Sequence, residues 1–597
     1  MRKSLFLILA LLPVLCLAAC GEPKTEAESL LVLLEEGDGF STEQYALRVL
    51  PGEDAVFLLQ MDRGVSLLSV DYRGEAEISE QDGLTKLRLL QVRFPTRVRL
   101  QTASRRGQIR YEANGGVAAD GSTSLLKNYS LTTHPRANTS LGTDLFSREG
   151  YTLTSWNTQP GGSGQRVGLG SRVTLSGGEL VLYAQWAPWS PEEDFQWVEE
   201  KEGVAVTGCR NRDARLVIPA RLGGKPVLRL VAGAFADCPA ETVILPPGLR
   251  VIDPDAFRNC ALTELTLFDD LADFSDSCFT DCERLQTLHI NAVEAPYGYV
   301  YRKESVYADK VDLLILAQGK KKLVFYGGCS MWYNLDGSQA NKLFGSEYAI
   351  LNLALNGTVS SAVQLQIMAA YLEPDDILFH TPEISSRLQL MLATGMGDDD
   401  SSLWCGLENN YDLFALVDLR TVDGVFDSFC RYLSIKDKRT DYNQFFSDDY
   451  RTPYIDGYGC IPFYRFSHKD RLADKVRVRP ENLTGESLQT LQEYYAMLKE
   501  RGVRIYVSCA CLNLDALPEG DEEKIPEADE LFRQTLSGMP GVTPISHQGD
   551  YLYHEEAFYD TNYHLLSEPA KQNTALWMRD LLAQMVQDGL WDKEADT

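Results

Sequence analysis

The chain is poor in the residues that hold metals and phosphates. Its 7 histidines are scattered without paired spacing, and none of its 13 cysteines forms a Cys-x-x-Cys doublet. Both facts argue against a zinc framework, and no metal is expected. No glycine-rich loop of the Walker type occurs, so nothing is built to cradle nucleotide phosphates, and no cofactor is expected. Positive charge is also short, with 57 Lys+Arg against 85 Asp+Glu and a net charge of −28. Sequence-independent nucleic-acid binding needs basic side chains that displace phosphate counterions, so nucleic acid is excluded as a partner. After the N-terminus no stretch of about 20 apolar residues appears, and no later segment is expected to span a membrane.

The N-terminus itself is different. Arg2 and Lys3 precede an apolar run from Leu5 to Leu17, which ends in Leu17-Ala18-Ala19-Cys20-Gly21. An ordinary secretory signal is one reading. Small residues and a cysteine closing the run resemble a bacterial lipoprotein signal instead. That resemblance implies a signal peptide over residues 1–19, lipid on the Cys20 sulfur and a tether over 20–28. It also implies an extracytoplasmic protein, lipid-anchored to the bacterial membrane, where two or more acyl chains hold stably. With Cys16 removed and Cys20 lipidated, 11 cysteines remain of the 13, an odd number that cannot all pair.

Residues 29–105 alternate short apolar runs with Gly and Asp turns, as in Ala55-Val56-Phe57-Leu58-Leu59, and read as a small β domain. Residues 109–187 carry Gly150-Tyr151-Thr152-Leu153-Thr154-Ser155-Trp156-Asn157-Thr158 and Leu182-Tyr183-Ala184-Gln185-Trp186. These aromatics alternate on strands and would fill one small core. The two motifs resemble the ends of the β-grasp-like repeat of internalin B-type surface proteins, and the aromatic core reads as that of a spacer rather than a ligand site. Trp189 to Asp194 reads as a linker. A repeat region follows over 195–295, in which Phe235, Phe257 and Phe279 recur every 22 residues, as do Cys238, Cys260 and Cys282. A unit of that size buries its apolar face only by stacking on a neighbour. The cysteines mark a repeated buried position. The pattern resembles the bacterial cell-surface type of leucine-rich repeat, which implies a stalk or a binding face for a protein ligand.

From about residue 320 strand-like and helix-like segments alternate: a strand at Leu323 to Tyr326, a helix-like stretch to Phe344, a strand at Tyr348 to Ala354, a helix at Ser361 to Tyr371 and a strand at Asp376 to His380. Thr484 to Arg501 reads as a helix and Val503 to Cys509 as a strand that places Cys509 and Cys511 on one side. Such alternation implies a parallel sheet covered by helices on both faces, an α/β/α three-layer domain over 320–590, within a multidomain chain. Sites in such sheets lie beyond the carboxyl ends of the strands. Three strand ends there carry candidates: Gly327-Gly328-Cys329-Ser330, the stretch from Asn352 to Asn356 and Gly357, and His380 to Glu383. Near the C-terminus Asp560 precedes His564. A nucleophile at a glycine turn, with a later Asp and His, is the chain order of α/β hydrolases.

Residues 320–590 resemble the SGNH (GDSL-like) hydrolase superfamily, nearest its exported O-acetyltransferase-like branch. The resemblance rests on Gly327-Gly328-Cys329, Asn352 to Gly357, Pro382-Glu383, and Asp560 with His564. It implies metal-free chemistry on ester groups of envelope or host glycans, so carbohydrate or a cell-wall polymer is the expected partner. Cys329 or Ser330 would attack, His564 would move the proton and Asp560 would orient it. Gly328, Asn356 and Gly357 would bind the oxyanion, and Glu383 would line the substrate side. The chain departs from the family in four ways. Cys329 stands at the nucleophilic serine, Ala354 replaces a loop glycine, no Gly-x-Asn-Asp block occurs, and Asp560 and His564 are four apart where three is usual. A thiol needs less activation than a hydroxyl, so Cys329 remains chemically competent. The alternative is a non-catalytic adhesion protein using the repeats and a degenerate α/β domain, with an exposed apolar patch on the solenoid face.

Overall fold

Strand Ala55–Met61 buries Ala55, Phe57 and Leu59 and exposes Val56, Leu58 and Gln60, the period-two pattern of a sheet with one face in a core. The computed structural model describes residues 29–35, 40–42, 44–61, 65–72, 74–81, 84–104, 106–130, 136–137, 145–175, 178–293, 306–355, 360–382, 396, 401–408, 410–436, 458–461, 476–478 and 488–591. Cys20, Asn356, Gly357 and Glu383 therefore lie outside the described residues, as does the signal region. The chain divides into two compact units, residues 1–105 and 106–597. In the first, two four-stranded sheets share one core around Val32, Phe57, Leu87, Leu89 and Val98.

The second unit begins with a five-stranded sheet in which Gly178–Pro188 runs parallel to Arg106–Glu112 and antiparallel to Tyr151–Asn157. Its centre is Trp156, fully buried, met edge-on by Tyr111 at 4.9 Å. The repeats follow. Parallel strands Arg215–Val217, Thr242–Ile244, Glu264–Phe268 and Thr287–Asn291 form one wall. Behind it Phe235, Phe257 and Phe279 stack face to face, with ring centroids 4.9 and 5.4 Å apart. The thiols of Cys260 and Cys282 donate to the carbonyls of Phe235 and Phe257, one rung back, at 2.9 and 3.0 Å. Just before each cysteine stands a residue in the left-handed region, Asp237, Asn259 and Asp281, with φ of 57°, 55° and 58°. Asp and Asn tolerate that conformation better than other side chains, so the turn repeats with the rung.

The outer face of this wall is covered by the chain's own preceding module. Val217 and Ile244 pack on Ala187 and Trp189, while Phe268 enters the core built around Trp156. The expected linker is docked rather than free: Trp189 N donates to Gly150 O at 2.8 Å, and Ser190 N to Val217 O at 2.9 Å. The polar backbone of Trp189 and Ser190 thus finds its partners on both neighbouring modules.

Helix α1 (Val306–Leu316) leads into strand β1 (Lys322–Gly327) of the C-terminal domain. Then come α2 (Cys329–Asn334), α3 (Gly337–Phe344), β2 (Ala349–Asn352), α4 (Ser361–Tyr371) and β3 (Ile377–Thr381). The single helix-like stretch expected up to Phe344 is two helices, because Asp336 caps the second by accepting from Gln339 N at 3.1 Å. After a short helix at Ser401–Leu407 come helix α5 (Val425–Lys436), α6 (Gln489–Glu500), strand β4 (Arg504–Val507), α7 (Ile525–Ser537), strand β5 (Val542–Pro544) and α8 (Ser567–Gln587). All five strands are parallel, in the order β2-β1-β3-β4-β5. Strand β4 stops at Val507, so Cys509 and Cys511 lie beyond it, both buried, rather than on one strand face as expected.

Helix α5 closes the end of the repeat stack. Phe426 stacks on Phe279 at 4.4 Å, adding a fourth ring to the phenylalanine ladder. The carboxylate of Asp276 in the last repeat accepts from Phe426 N and Asp427 N at 3.2 Å each, the usual satisfaction of a helix's first donors. Buried side chains of the repeats and of the C-terminal domain thus form one continuous core.

Candidate active site

The sheet order reverses at β1, whose chain neighbour β2 lies on one side and β3 on the other. In doubly wound sheets the crevice at the carboxyl end of such a strand is where ligands bind. Gly327 ends β1 there and pairs with Thr381 at the end of β3. A side chain at Gly327 would meet Thr381 Oγ1 at 2.8 Å and Met331 Cβ at 3.0 Å, so glycine is required by close packing and not by backbone conformation. Gly328 is the residue before the first turn of α2, and its carbonyl accepts from Met331 N and Trp332 N at 3.1 and 3.2 Å. Cys329 opens the helix with 9% of its surface exposed, whereas Ser330 is fully buried.

Asp560 and His564 come to this helix from the far end of the sequence. His564 Nδ1 lies 2.7 Å from Asp560 Oδ1. A carboxylate only accepts, so Nδ1 carries a proton, and in the neutral ring the lone pair is on Nε2. The imidazole lies flat on Tyr333, with centroids 3.6 Å apart and planes at 6°. Tyr333 is four residues after Cys329 on α2, hence one turn along the same helix face. The neighbouring Asn334 fixes the backbone on both sides of the histidine. Its Nδ2 donates to Tyr563 O and its Oδ1 accepts from Leu565 N, each at 2.8 Å. Thr561 Oγ1 also accepts from His564 N at 3.2 Å, and Tyr559 N donates to His564 O at 2.7 Å. The structure therefore lays His564, with Asp560 at its Nδ1, on Tyr333 of the helix that carries Cys329 and Ser330.

Sequence reasoning missed Tyr333 and Asn334. The spacing of four from Cys329 was the available signal for Tyr333. Nothing local marks Asn334, because its partners stand 229 and 231 residues away.

The polar groups around the ends of β2 and β3 are tied down. Lys310 of α1, buried, donates to the carbonyls of Asn352 and Gly459 at 2.9 and 2.8 Å and sits over the Trp332 ring. Asn352 Oδ1 accepts from Ala354 N at 3.0 Å, so the position where the resemblance expects a glycine is shaped by a side-chain bond. His380, at the end of β3, is buried with Nδ1 2.7 Å from the Tyr495 hydroxyl. Burial pulls its pKa down to about 3, which keeps the ring neutral. His547 and His554 are exposed beside Asp529 and Asp515. Among the described residues no group of three or more His, Cys, Asp or Glu is placed to hold a metal ion.

Comparison with known proteins bears on the repeats. Residues 227–305 match, in six copies, the family model described as the BspA type leucine-rich repeat region. These repeats are of the BspA type. Among solved structures, the chain is similar to a T. pallidum leucine-rich repeat protein at 19% identity, over 17% of this chain and 70% of that one, with a TM-score of 0.13. No curated protein matches the chain. The BspA-type match stops short of the crevice at β1.

Proposed function

We propose that residues 320–590 are an SGNH-like esterase or O-acyltransferase domain of an exported, lipid-anchored surface protein, acting on ester groups of envelope or host glycans. The BspA-type repeats favour a surface or binding role for the chain as a whole. The observation that carries the enzymatic reading is the Asp560–His564 pair held by Tyr333 and Asn334 against the helix that begins with Cys329. Cys329 is the nucleophile in this reading, since Ser330 is sealed from solvent.

The chemistry balances without a cofactor. His564 Nε2 takes the thiol proton as Cys329 Sγ bonds to the acyl carbonyl carbon. Collapse of the tetrahedral adduct breaks the ester C–O bond, and the departing alkoxide recovers that proton from Nε2, leaving a thioester. Water or a sugar hydroxyl then gives its proton to Nε2 as it adds to the thioester carbonyl, and collapse expels the Cys329 thiolate, which recovers that proton. Asp560 stabilises the imidazolium formed in both halves.

The test is acetyl release from 4-nitrophenyl acetate by the full chain. Cys329→Ala and His564→Ala should abolish it, and Ser330→Ala should retain it. Asn334→Ala, which frees the histidine backbone, should lower it on the order of 10- to 100-fold, since small displacements of a catalytic group cost that much. A rate indifferent to His564→Ala, or no release by folded protein, would shift the assignment to the binding reading. That reading expected an apolar or aromatic patch on the solenoid. Among the described repeat residues Val198 alone is a strongly exposed large apolar side chain, and part of the sheet face is covered by the preceding module.

A further inference from the structure

Each repeat puts its cysteine three residues after its phenylalanine, in a turn closed by a backbone bond between the two. Cys238 N, Cys260 N and Cys282 N donate to the carbonyls of Phe235, Phe257 and Phe279 at 3.1, 3.3 and 3.1 Å. The side chains lean one rung back, Cys260 Sγ onto Phe235 O at 2.9 Å and Cys282 Sγ onto Phe257 O at 3.0 Å. Phe257 O therefore receives two groups at once, the N–H of Cys260 and the thiol of Cys282. That shared acceptor brings the Cys282 sulfur to the turn that carries Cys260.

The two rungs are held in register at a step that a covalent bond can span. Phe257 N donates to Cys278 O and Asn259 N to Thr280 O, each at 2.9 Å, and the rings of Phe257 and Phe279 are 5.4 Å apart. A disulfide joins Cα atoms about 4.4–6.8 Å apart, and a rung step of this size lies inside that range.

Access to the pair is one-sided. Cys238 and Cys260 are buried, whereas Cys282, on the last of the three rungs, is half-buried. Cys282 is also the more readily ionised. The Cys260 S–H beside it can turn from Phe235 O to the Cys282 thiolate, which holds the Cys282 pKa below the ordinary thiol value. Burial pushes Cys209, Cys278, Cys430 and Cys509 the other way. The thiolate is the attacking form in disulfide exchange, so a small oxidant entering from solvent reacts at Cys282 first.

We propose that Cys282 and Cys260 form a rung-to-rung disulfide when the chain meets a low-molecular-weight disulfide, with Cys282 as the entry thiol and Cys260 as the resolving thiol. The Cys282 thiolate bonds to one sulfur of the oxidant and breaks its S–S bond. The departing thiolate takes up the proton that Cys282 released. Cys260 then loses its proton to solvent as its sulfur attacks the Cys282 sulfur, and the second small thiolate leaves and is protonated in turn. The chain gives up two electrons, and the oxidant is reduced to two thiols. Capping Cys282 removes the thiol neighbour that raises the Cys260 pKa, which favours the second step. The bond staples together the last two of these rungs, where Phe426 and Asp276 join α5 to the stack. It stands whether or not the proposed ester chemistry occurs.

The experiment exposes the folded full chain to oxidised glutathione, blocks the remaining thiols with N-ethylmaleimide, and maps the peptides without reduction. Trypsin with Asp-N endoproteinase places Cys260, Cys278 and Cys282 on three separate peptides. A linked Cys260–Cys282 peptide pair is expected, and dithiothreitol should separate it. Cys260→Ser should leave glutathione on Cys282, the trapped intermediate, while Cys282→Ser should leave Cys260 a thiol. Cys238→Ser should leave the link intact. The proposal is overturned by no link in the folded native chain, by a link that forms only in urea, or by one that joins Cys260 to Cys238 or Cys278. It is overturned equally if folded Cys260→Ser carries no glutathione on Cys282.

Discussion

Two histidines in the C-terminal domain have opposite surroundings. His564 has a carboxylate at Nδ1 and an aromatic face beneath it, the surroundings of a ring that can accept and return a proton. His380 has the Tyr495 hydroxyl at 2.7 Å, the Tyr326 ring at 5.0 Å and no charged partner among its contacts. Its folded pKa lies near 3, below the ordinary 6.5, so the unfolded chain binds the proton more readily. Stability from this residue is present above pH 6.5 and is lost as pH falls from there toward 3. Between pH 6.5 and 5 that loss amounts to roughly 2 kcal/mol. Urea unfolding midpoints at pH 7, 6 and 5 should therefore fall more steeply for the native chain than for His380→Gln. Parallel slopes would show that the ring titrates as freely when folded as when unfolded.

The repeat stack shows why a short element can be stable when neighbours complete it. Each rung contributes one phenylalanine and one cysteine, and the rings meet at 4.9, 5.4 and 4.4 Å through Phe235, Phe257, Phe279 and Phe426. The middle ring, Phe257, is fully buried with a stacked ring on both sides. Phe257→Ala should cost about 3–5 kcal/mol in chemical denaturation, the range for a buried aromatic truncated to a methyl. Phe257→Leu, which refills most of the volume, should cost clearly less. The Cys260 thiol is structural: the neighbouring Cys282 thiol and burial push its pKa well above its ordinary value. Such a group is a poor nucleophile.

On the scale of the whole second unit, the modules are joined by charge as well as by packing. Arg172, in the module centred on Trp156, is buried against α1 of the C-terminal domain, 2.6 Å from Asp312 and 3.5 Å from Asp309. Asp412 of the C-terminal domain accepts from Gly168 N and Ser171 Oγ at 2.8 and 2.7 Å, beside the same turn. Lys436 at the end of α5 pairs with Asp269 of the repeats. Removing one partner of a buried ion group leaves the other charges without compensation, at a cost of about 3–5 kcal/mol. Arg172→Met should therefore lower the calorimetric melting temperature of residues 106–597 as one transition. Adding Asp309→Leu and Asp312→Leu should recover much of the loss, because the uncompensated carboxylates go with them. A loss confined to one module would show that the modules unfold separately.

The sequence by itself determined what local repetition and local chemistry can encode. The period of 22 in phenylalanine and cysteine announced the rungs, since a stacked unit must place the same buried side chain at the same step. Glycines at the end of an apolar strand, followed by Cys329, marked a strand end at the carboxyl edge of a sheet. Asp560 and His564 were close enough in sequence to read as a pair. The tertiary structure alone decided how distant pieces meet. Asn334 and the backbone around His564 find each other only because α2 and the C-terminal loop pack together. Phe426 completes the phenylalanine ladder from a helix outside the repeat, and the wall's outer face is covered by the module before it. Residue spacing records contacts along a strand or helix; contacts between elements depend on the docking of whole surfaces, and no single position in the sequence carries that information.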